Sequence, residues 1–406
     1  MRRPRSNFRS LSRVLLLAVI SGGVIMGITV GIRQTFGLFL APISVDLNLG
    51  RETFAFGMGA MNLIWGVAAP FAGAVADRYG AGRVAIAGGL SYATGLAVMT
   101  VTGEGGQLLV GGLLVGLGLS GAGFTVVLGA VGRAAPPEKR TLALGMASMG
   151  GSIGQFVALP YTHLLIDWLG WSACLLILAV TALLIVPLAY GIAGKHAAPE
   201  GRDRQTLSEA FHEARRHKGF WLLTAGFFVC GFHLAFVAVH LPAYLSDKGM
   251  PSWLAAATLT LVGICNIVGT YFCGYFGQCY PKKSVLSLLY LVRAAIFLVF
   301  IVAPVSETTV LLFGAAMGFL WLGTVPLTSG LVAYIFGPAY LSMLFGIVFF
   351  GHQVGGFLGA WLAGTAYDYL GSYDAMWWLS VALGVGSALL HWPIEERPVS
   401  RLVAAE

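Results

Sequence analysis

Apolar residues run along this chain in twelve long blocks, at about 14–41, 52–76, 84–102, 107–131, 140–168, 171–193, 218–245, 252–278, 284–304, 308–336, 338–366 and 374–394. A helix of about 20 apolar residues crosses a hydrocarbon layer of about 30 Å. Inside that layer no water satisfies the backbone, so each block is predicted to be a helix, numbered here spans 1 to 12. The polar gaps alternate in charge. Of the 24 Lys and Arg, all but Arg33, Arg51, Lys248 and Arg293 fall in the N-terminal tail, the gaps after spans 2, 4, 6 and 8, and the C-terminal tail. Short loops rich in Lys and Arg stay on the cytoplasmic side. The pattern predicts an all-α membrane protein with twelve transmembrane helices and both termini cytoplasmic.

Composition narrows the function. The chain is 57% hydrophobic and 10% charged, and the blocks use nearly all of its 406 residues, so no soluble enzymatic domain is expected. The net charge of +7 is topological, and nucleic acid is not expected as a partner. The first 13 residues are basic and polar like a signal peptide's start, but the apolar run that follows is too long for a cleaved signal, so span 1 is expected to be retained. The five cysteines show no C-x-x-C pair and suit apolar packing. No metal, cofactor or catalytic residue is expected. Histidines at H-x2-3-H spacing and a nucleotide-binding G-x-x-x-x-G-K-[ST] are missing from the sequence, against a metal-dependent membrane enzyme or an ATP-driven pump.

One gap is long and divides the chain. Residues 194–217 are polar and separate an N-terminal half, 1–193, from a C-terminal half, 218–396, with a tail at 397–406. Within the gap, LSEAFHEARRH has helical spacing and is expected to lie on the membrane surface. The halves echo each other: GAVADRYGAGRV after span 2 aligns with GYFGQCYPKKSV after span 8, pairing Gly73 with Gly274, Asp77 with Gln278 and Tyr79 with Tyr280. A six-plus-six tandem repeat is a transporter design with its site at the midplane between the halves.

GAVADRYGAGR resembles the loop signature of the major facilitator superfamily, through Gly73, Asp77, Arg78, Gly80 and Arg83. The resemblance implies two six-helix bundles and makes this segment a conformational latch. Gly73 would let a helix approach closely, Asp77 would meet a helix N-terminus or an Arg, and Arg78 and Arg83 would pair with Asp77 or with lipid phosphates. GIRQTFGLFLAPISVDL in span 1 and GIVFFGHQVGGFLGAWLAGTAYDYLGSYDAMWW around span 11 resemble bacterial members of the monocarboxylate transporter and oxalate/formate antiporter group. This implies a small organic anion as cargo, moved across the cytoplasmic (inner) membrane by proton symport or anion exchange, with protons as a further partner. In that group span 8 commonly carries an Arg; here Thr270 stands after Asn266 and Gly269. Drug–proton antiporters carry an Arg in span 4, where Gly112 and Gly116 stand, and a G-P pair in span 5, where Pro160 follows Leu159.

Ionisable groups inside the layer cost about 2.5–3.5 kcal/mol each on insertion scales, so each needs a reason. Arg33 in span 1 is the candidate anion holder, because a guanidinium offers a planar fork to a carboxylate. His352 in span 11 is a second anion contact or proton acceptor. Gln353, Asn266, His233, Gln155 and Trp321 are further candidate substrate contacts, with Asn62 and Thr324 adding hydrogen bonds and shape. Arg293 in span 9 is expected to snorkel to the surface or brace a neighbour. All 17 Asp and Glu fall in gaps or at helix ends, so no buried carboxylate answers Arg33, which favours an anionic cargo. The alternative is an exporter of neutral or cationic amphiphiles. A monomer is expected to suffice.

Overall fold

A computed structural model describes residues 13–39, 42–43, 46–47, 51–101, 105–193 and 205–403. The N-terminal basic tail and the first part of the linker lie outside the described residues. Among the described residues, nine helical stretches are long and apolar enough to cross a membrane. One of them, Pro137–Ile192, is 56 residues long, enough for two crossings. It turns at Gly170, whose φ of 81° breaks the helix Arg140–Leu183 into spans 5 and 6. Helices Ala81–Thr100 and Asp374–His391 supply spans 3 and 12. The chain is all-helical among the described residues and folds as two bundles, spans 1–6 and spans 7–12.

Close packing within each bundle rests on small residues. Spans 1 and 5 meet through Gly23, Gly27 and Gly31 on one side and Gly150 and Gly154 on the other. A Cβ on Gly27 would stand 3.1 Å from the carbonyl oxygen of Gly150. In lipid, where apolar area gives no drive between helices, such contact supplies dispersion and excludes lipid. Spans 7 and 11 meet through Gly231, Gly355 and Gly359 in the same way.

Spans 4 and 10 break partway along their length. Span 4 breaks at Gly123 between helices Gly105–Ala122 and Phe124–Ala134. Span 10, expected to run unbroken, stops at Leu320 and restarts at Thr324. The freed backbone groups need partners at membrane depth. Asn266 of span 8 accepts from the Leu322 N–H at 3.0 Å, and Arg293 of span 9 donates to the carbonyls of Leu320 and Trp321. Arg293 is fully buried, so it braces this break and does not snorkel.

The segment after span 2 is also tighter than expected. Span 2 runs to Tyr79 and span 3 starts at Ala81, so Gly73, Asp77 and Arg78 lie on the final helical turns, not in a loop. Gly80 alone joins the two spans, with φ 105° and ψ 132°. The linker helix is Leu207–Arg216, with a Thr206–Glu209 capping box whose hydrogen bonds hold the Glu209 carboxyl below its usual range. It docks on the second bundle: Tyr340 Oη donates to the Gln205 carbonyl at 2.6 Å, and Arg401 pairs with Glu213 at 3.5 Å.

A Cβ added at Gly80 meets nothing within 4 Å, so Gly80→Ala changes only backbone strain. The expected cost is about 1–3 kcal/mol. Gly106→Ala, in equally open space without a positive φ, is the control. Thermal unfolding in detergent should show a lowered midpoint for the first variant and an unchanged one for the second.

Candidate functional site

The two bundles touch along spans 2 and 11 and along spans 5 and 8. On span 2, Gly59, Gly66 and Gly73 recur every seven residues, so they share one helix face. That face measures the gap. A Cβ on Gly73 would collide with the backbone of Ser342. On Gly66 it would stand 2.8 Å from the Gln353 Cβ, and on Gly59 it would meet nothing within 4 Å. Span 8 repeats the trend: a Cβ on Gly274 would lie 2.8 Å from the Gly145 Cα, while Gly263 faces open space. The bundles are shut at the end bearing Gly73 and apart at the other.

A carboxylate holds the shut end. Asp77, fully buried on the last turn of span 2, accepts from the backbone N–H groups of Ser342 at 3.2 Å and Met343 at 2.7 Å. These lie in the first turn of span 11, Leu341–Leu370, where unpaired N–H groups and the helix dipole favour an anion. Arg133, at the end of span 4, pairs with the same carboxylate and reaches Ser342 Oγ at 3.2 Å. Arg78 and Arg83 are exposed and make neither bond; Arg78 instead lies over the Tyr79 ring. The second copy works alike without charge. Gln278 Oε1, at the end of span 8, accepts from the Thr141 N–H in the first turn of span 5 at 3.0 Å.

Above this seal, at the closed floor of the wedge, the polar residues converge. Arg33 sits in the last turn of helix Arg13–Gln34, where the carbonyl end of the dipole favours a cation. Its Nε and Nη2 donate to Asn62 Oδ1 at 3.1 and 2.7 Å. Its guanidinium lies 5.2 Å from the centre of the Trp65 ring. Gln353 Nε2 reaches back to the Asn62 carbonyl at 3.3 Å, and His352 Nδ1 meets Gln353 Oε1 at 3.1 Å. One chain, Arg33–Asn62–Gln353–His352, therefore crosses from spans 1 and 2 to span 11. Its base is aromatic. Phe349 packs 5.0 Å from Trp65 and lies nearly parallel to His352 at 5.4 Å.

The other candidates lie elsewhere in this conformation. Asn266 is fully buried and bonds Ser152 Oγ at 2.9 Å besides the span 10 break. Trp321 is part of that break. His233 is fully buried, with Nε2 at 2.9 Å from the Ser380 carbonyl of span 12. Gln155 is half-buried on span 5, apart from the hydrogen-bonded chain. Asp46 accepts from Trp171 Nε1 at 2.9 Å, and among the described residues no Asp or Glu pairs with Arg33.

Two packed helical bundles joined at one end by a buried carboxylate are the architecture of a membrane transporter. The chain belongs to the major facilitator superfamily, whose family model matches residues 17–325 and 257–406. It is 26% identical to monocarboxylate transporter 13 of Rattus norvegicus over 92% of this chain and 87% of that protein. It is 24% identical to the uncharacterised transporter YhjX of Escherichia coli over 82% of this chain and 84% of that protein. Its fold matches the Escherichia coli fucose:proton symporter in the outward conformation, with a TM-score of 0.71 at 17% identity, covering 93% of this chain and 99% of that one.

Removing the seal's charge should loosen it. Asp77→Asn keeps the shape but removes the Arg133 ion pair, and breaking a buried pair costs about 3–5 kcal/mol. Pulsed electron-resonance distances between labels on the latch ends of spans 3 and 9 should lengthen in the variant.

Proposed function

We propose that this chain is a secondary active transporter of a small, monocarboxylate-like organic anion, driven by proton symport or by exchange with a second anion. Its units are the bundles 1–193 and 218–396, joined by the linker 194–217, and one copy suffices. It works in the cytoplasmic membrane, with the Gly73 end and both termini inside. In that orientation the structure faces outward. The carrying observation is a half-buried guanidinium whose only hydrogen-bond partner among the described residues is the neutral Asn62. Both bonds go to one amide oxygen, so an arriving carboxylate can displace Asn62 and take the same fork.

The hydrogen-bonded chain between the bundles supports a coupled cycle. Arg33 belongs to one bundle and His352 to the other, and Asn62 and Gln353 link them. An anion bridging Arg33 and His352 would draw the bundles together on the open side. Closure there must be matched by release of Asp77 from span 11, which is alternating access about a fixed site. The Trp65–Phe349 floor suits a short apolar tail behind the carboxylate. The names of relatives that are monocarboxylate transporters, and of a structural neighbour described as a human organic anion transporter at TM-score 0.69 and 16% identity, agree with this class.

Uptake of labelled organic acids into proteoliposomes tests the proposal. Losing a hydrogen bond to a charged group costs about 1.5–3 kcal/mol, so Arg33→Gln should weaken anion affinity roughly ten- to hundredfold. A folded Arg33→Gln protein with the wild-type rate would return the exporter of neutral or cationic amphiphiles to first place. His352→Ala should flatten the pH dependence of uptake; an unaltered profile would remove His352 from coupling.

A further inference from the structure

The seal uses Asp77 and leaves Arg78 and Arg83 out, and a groove lies beside these two arginines. Val75 and Tyr79 stand on the face of span 2 turned away from Gly73. Spans 2 and 3 each pack along span 4 but little on each other. The space left between them is about 440 Å3. Its walls are Val75 and Tyr79 of span 2 and Arg83 and Ala87 of span 3, and Ser120 and Gly121 of span 4 line its floor. Val75, Tyr79, Arg83 and Ala87 are all exposed, so the groove opens on the side away from the second bundle. In a bilayer that side meets lipid.

We propose that this groove binds one anionic phospholipid: an acyl chain fills the space, and Arg83, with Arg78 beside it, takes the phosphate. The interior suits a tail. The hydroxyls that line it are already engaged, Ser91 donating to the Leu114 carbonyl at 2.8 Å and Ser120 to the Leu117 carbonyl at 2.7 Å. The rim suits a phosphate. Arg83 stands in the first turn of span 3, and the Arg78 guanidinium lies 5.2 Å from the centre of the Tyr79 ring. Among the described residues neither arginine makes an ion pair, and no Asp or Glu lines the groove. Basic pockets between membrane helices take anionic headgroups in this way.

Charge decides which lipid is held. Bulk lipid is as apolar as the groove, so a tail gains little by moving into it. Each basic residue at an anionic headgroup is worth about fivefold in affinity. The site also touches the seal from behind. Arg78 follows Asp77 directly, and Tyr79 ends span 2. A tail held between spans 2 and 3 fixes the splay of the two helices that meet at Gly80, and so steadies the turn that carries Asp77. None of this depends on which cargo is carried; it requires only that the chain be embedded in lipid.

Native mass spectrometry of the detergent-purified protein, titrated with dioleoylphosphatidylglycerol or dioleoylphosphatidylcholine, tests the site. Wild type should hold the anionic lipid roughly twentyfold more tightly, and Arg83→Gln should cut that preference to about fivefold. Arg216→Gln, at an exposed arginine of the linker helix, should leave it unchanged. Ala87→Phe puts a ring into the groove and should weaken both lipids. Equal binding of the two lipids by wild type, or an unaltered preference in Arg83→Gln, overturns the proposal. Full binding by Ala87→Phe would mean a headgroup resting on a charged rim with no seated tail, and overturns it too. Excess glycerol 3-phosphate, which has the phosphate but no tail, should not displace the lipid; displacement would mark a site for free phosphate instead. A protein dimer lost in Ala87→Phe, with no lipid adduct, would make a second copy the occupant and likewise refute the lipid site.

Discussion

The molecule's geometry turns on one carboxylate docked at the start of one helix. Asp77 takes two backbone N–H groups of span 11 and the Arg133 guanidinium, and so pins the two bundles at one end. Gln278 makes the corresponding joint between spans 8 and 5 with a neutral side chain. A clamp on both sides of one end leaves the bundles free to part only at the other. The glycine face of span 2 follows from that, from collision at Gly73 to open space at Gly59. The asymmetry of the pair suits a switch. The charged joint is strong and specific, and the amide joint can reform without desolvating an ion.

A second rule concerns positive charge in oil. Arg133, Arg293 and Arg33 are drawn inward, and each is answered differently. Arg133 has a carboxylate. Arg293 has carbonyls freed by a broken helix. Arg33 has one amide oxygen and the face of a tryptophan. The three answers rank the charges by how readily a mobile anion can claim them. Asp77 already satisfies Arg133, and Arg293 is fully buried, which leaves Arg33 for the anionic cargo proposed above.

Much of this was legible in the sequence. The twelve blocks foretold the helices, because length is a one-dimensional signal, and the Gly73–Arg83 resemblance singled out Asp77, whose carboxylate meets span 11. The joining of Arg33 to His352 was suggested by each being a polar residue inside an apolar block. What escaped needed the third dimension. Arg133 looked like one more basic loop residue, yet it supplies Asp77's partner. Trp65 and Phe349 were not singled out, since periodicity in a uniformly apolar helix does not reveal which face meets the opposite bundle. Asn266 and Trp321 are polar and membrane-embedded as expected, but the break in span 10 absorbs them, and no proline or glycine pair before Gly323 announced it.

The single-residue joint at Gly80 has a mechanical consequence. A joint that short has no slack, so spans 2 and 3 cannot slide independently. Any tilt imposed on span 2 by breaking or remaking the Asp77 dock is handed directly to span 3, and from there to spans 4 and 6, which pack on it. The whole N-terminal bundle thus behaves as one lever arm, and the stiffness of its elbow sets how faithfully an event at the seal is felt on the far side of the membrane.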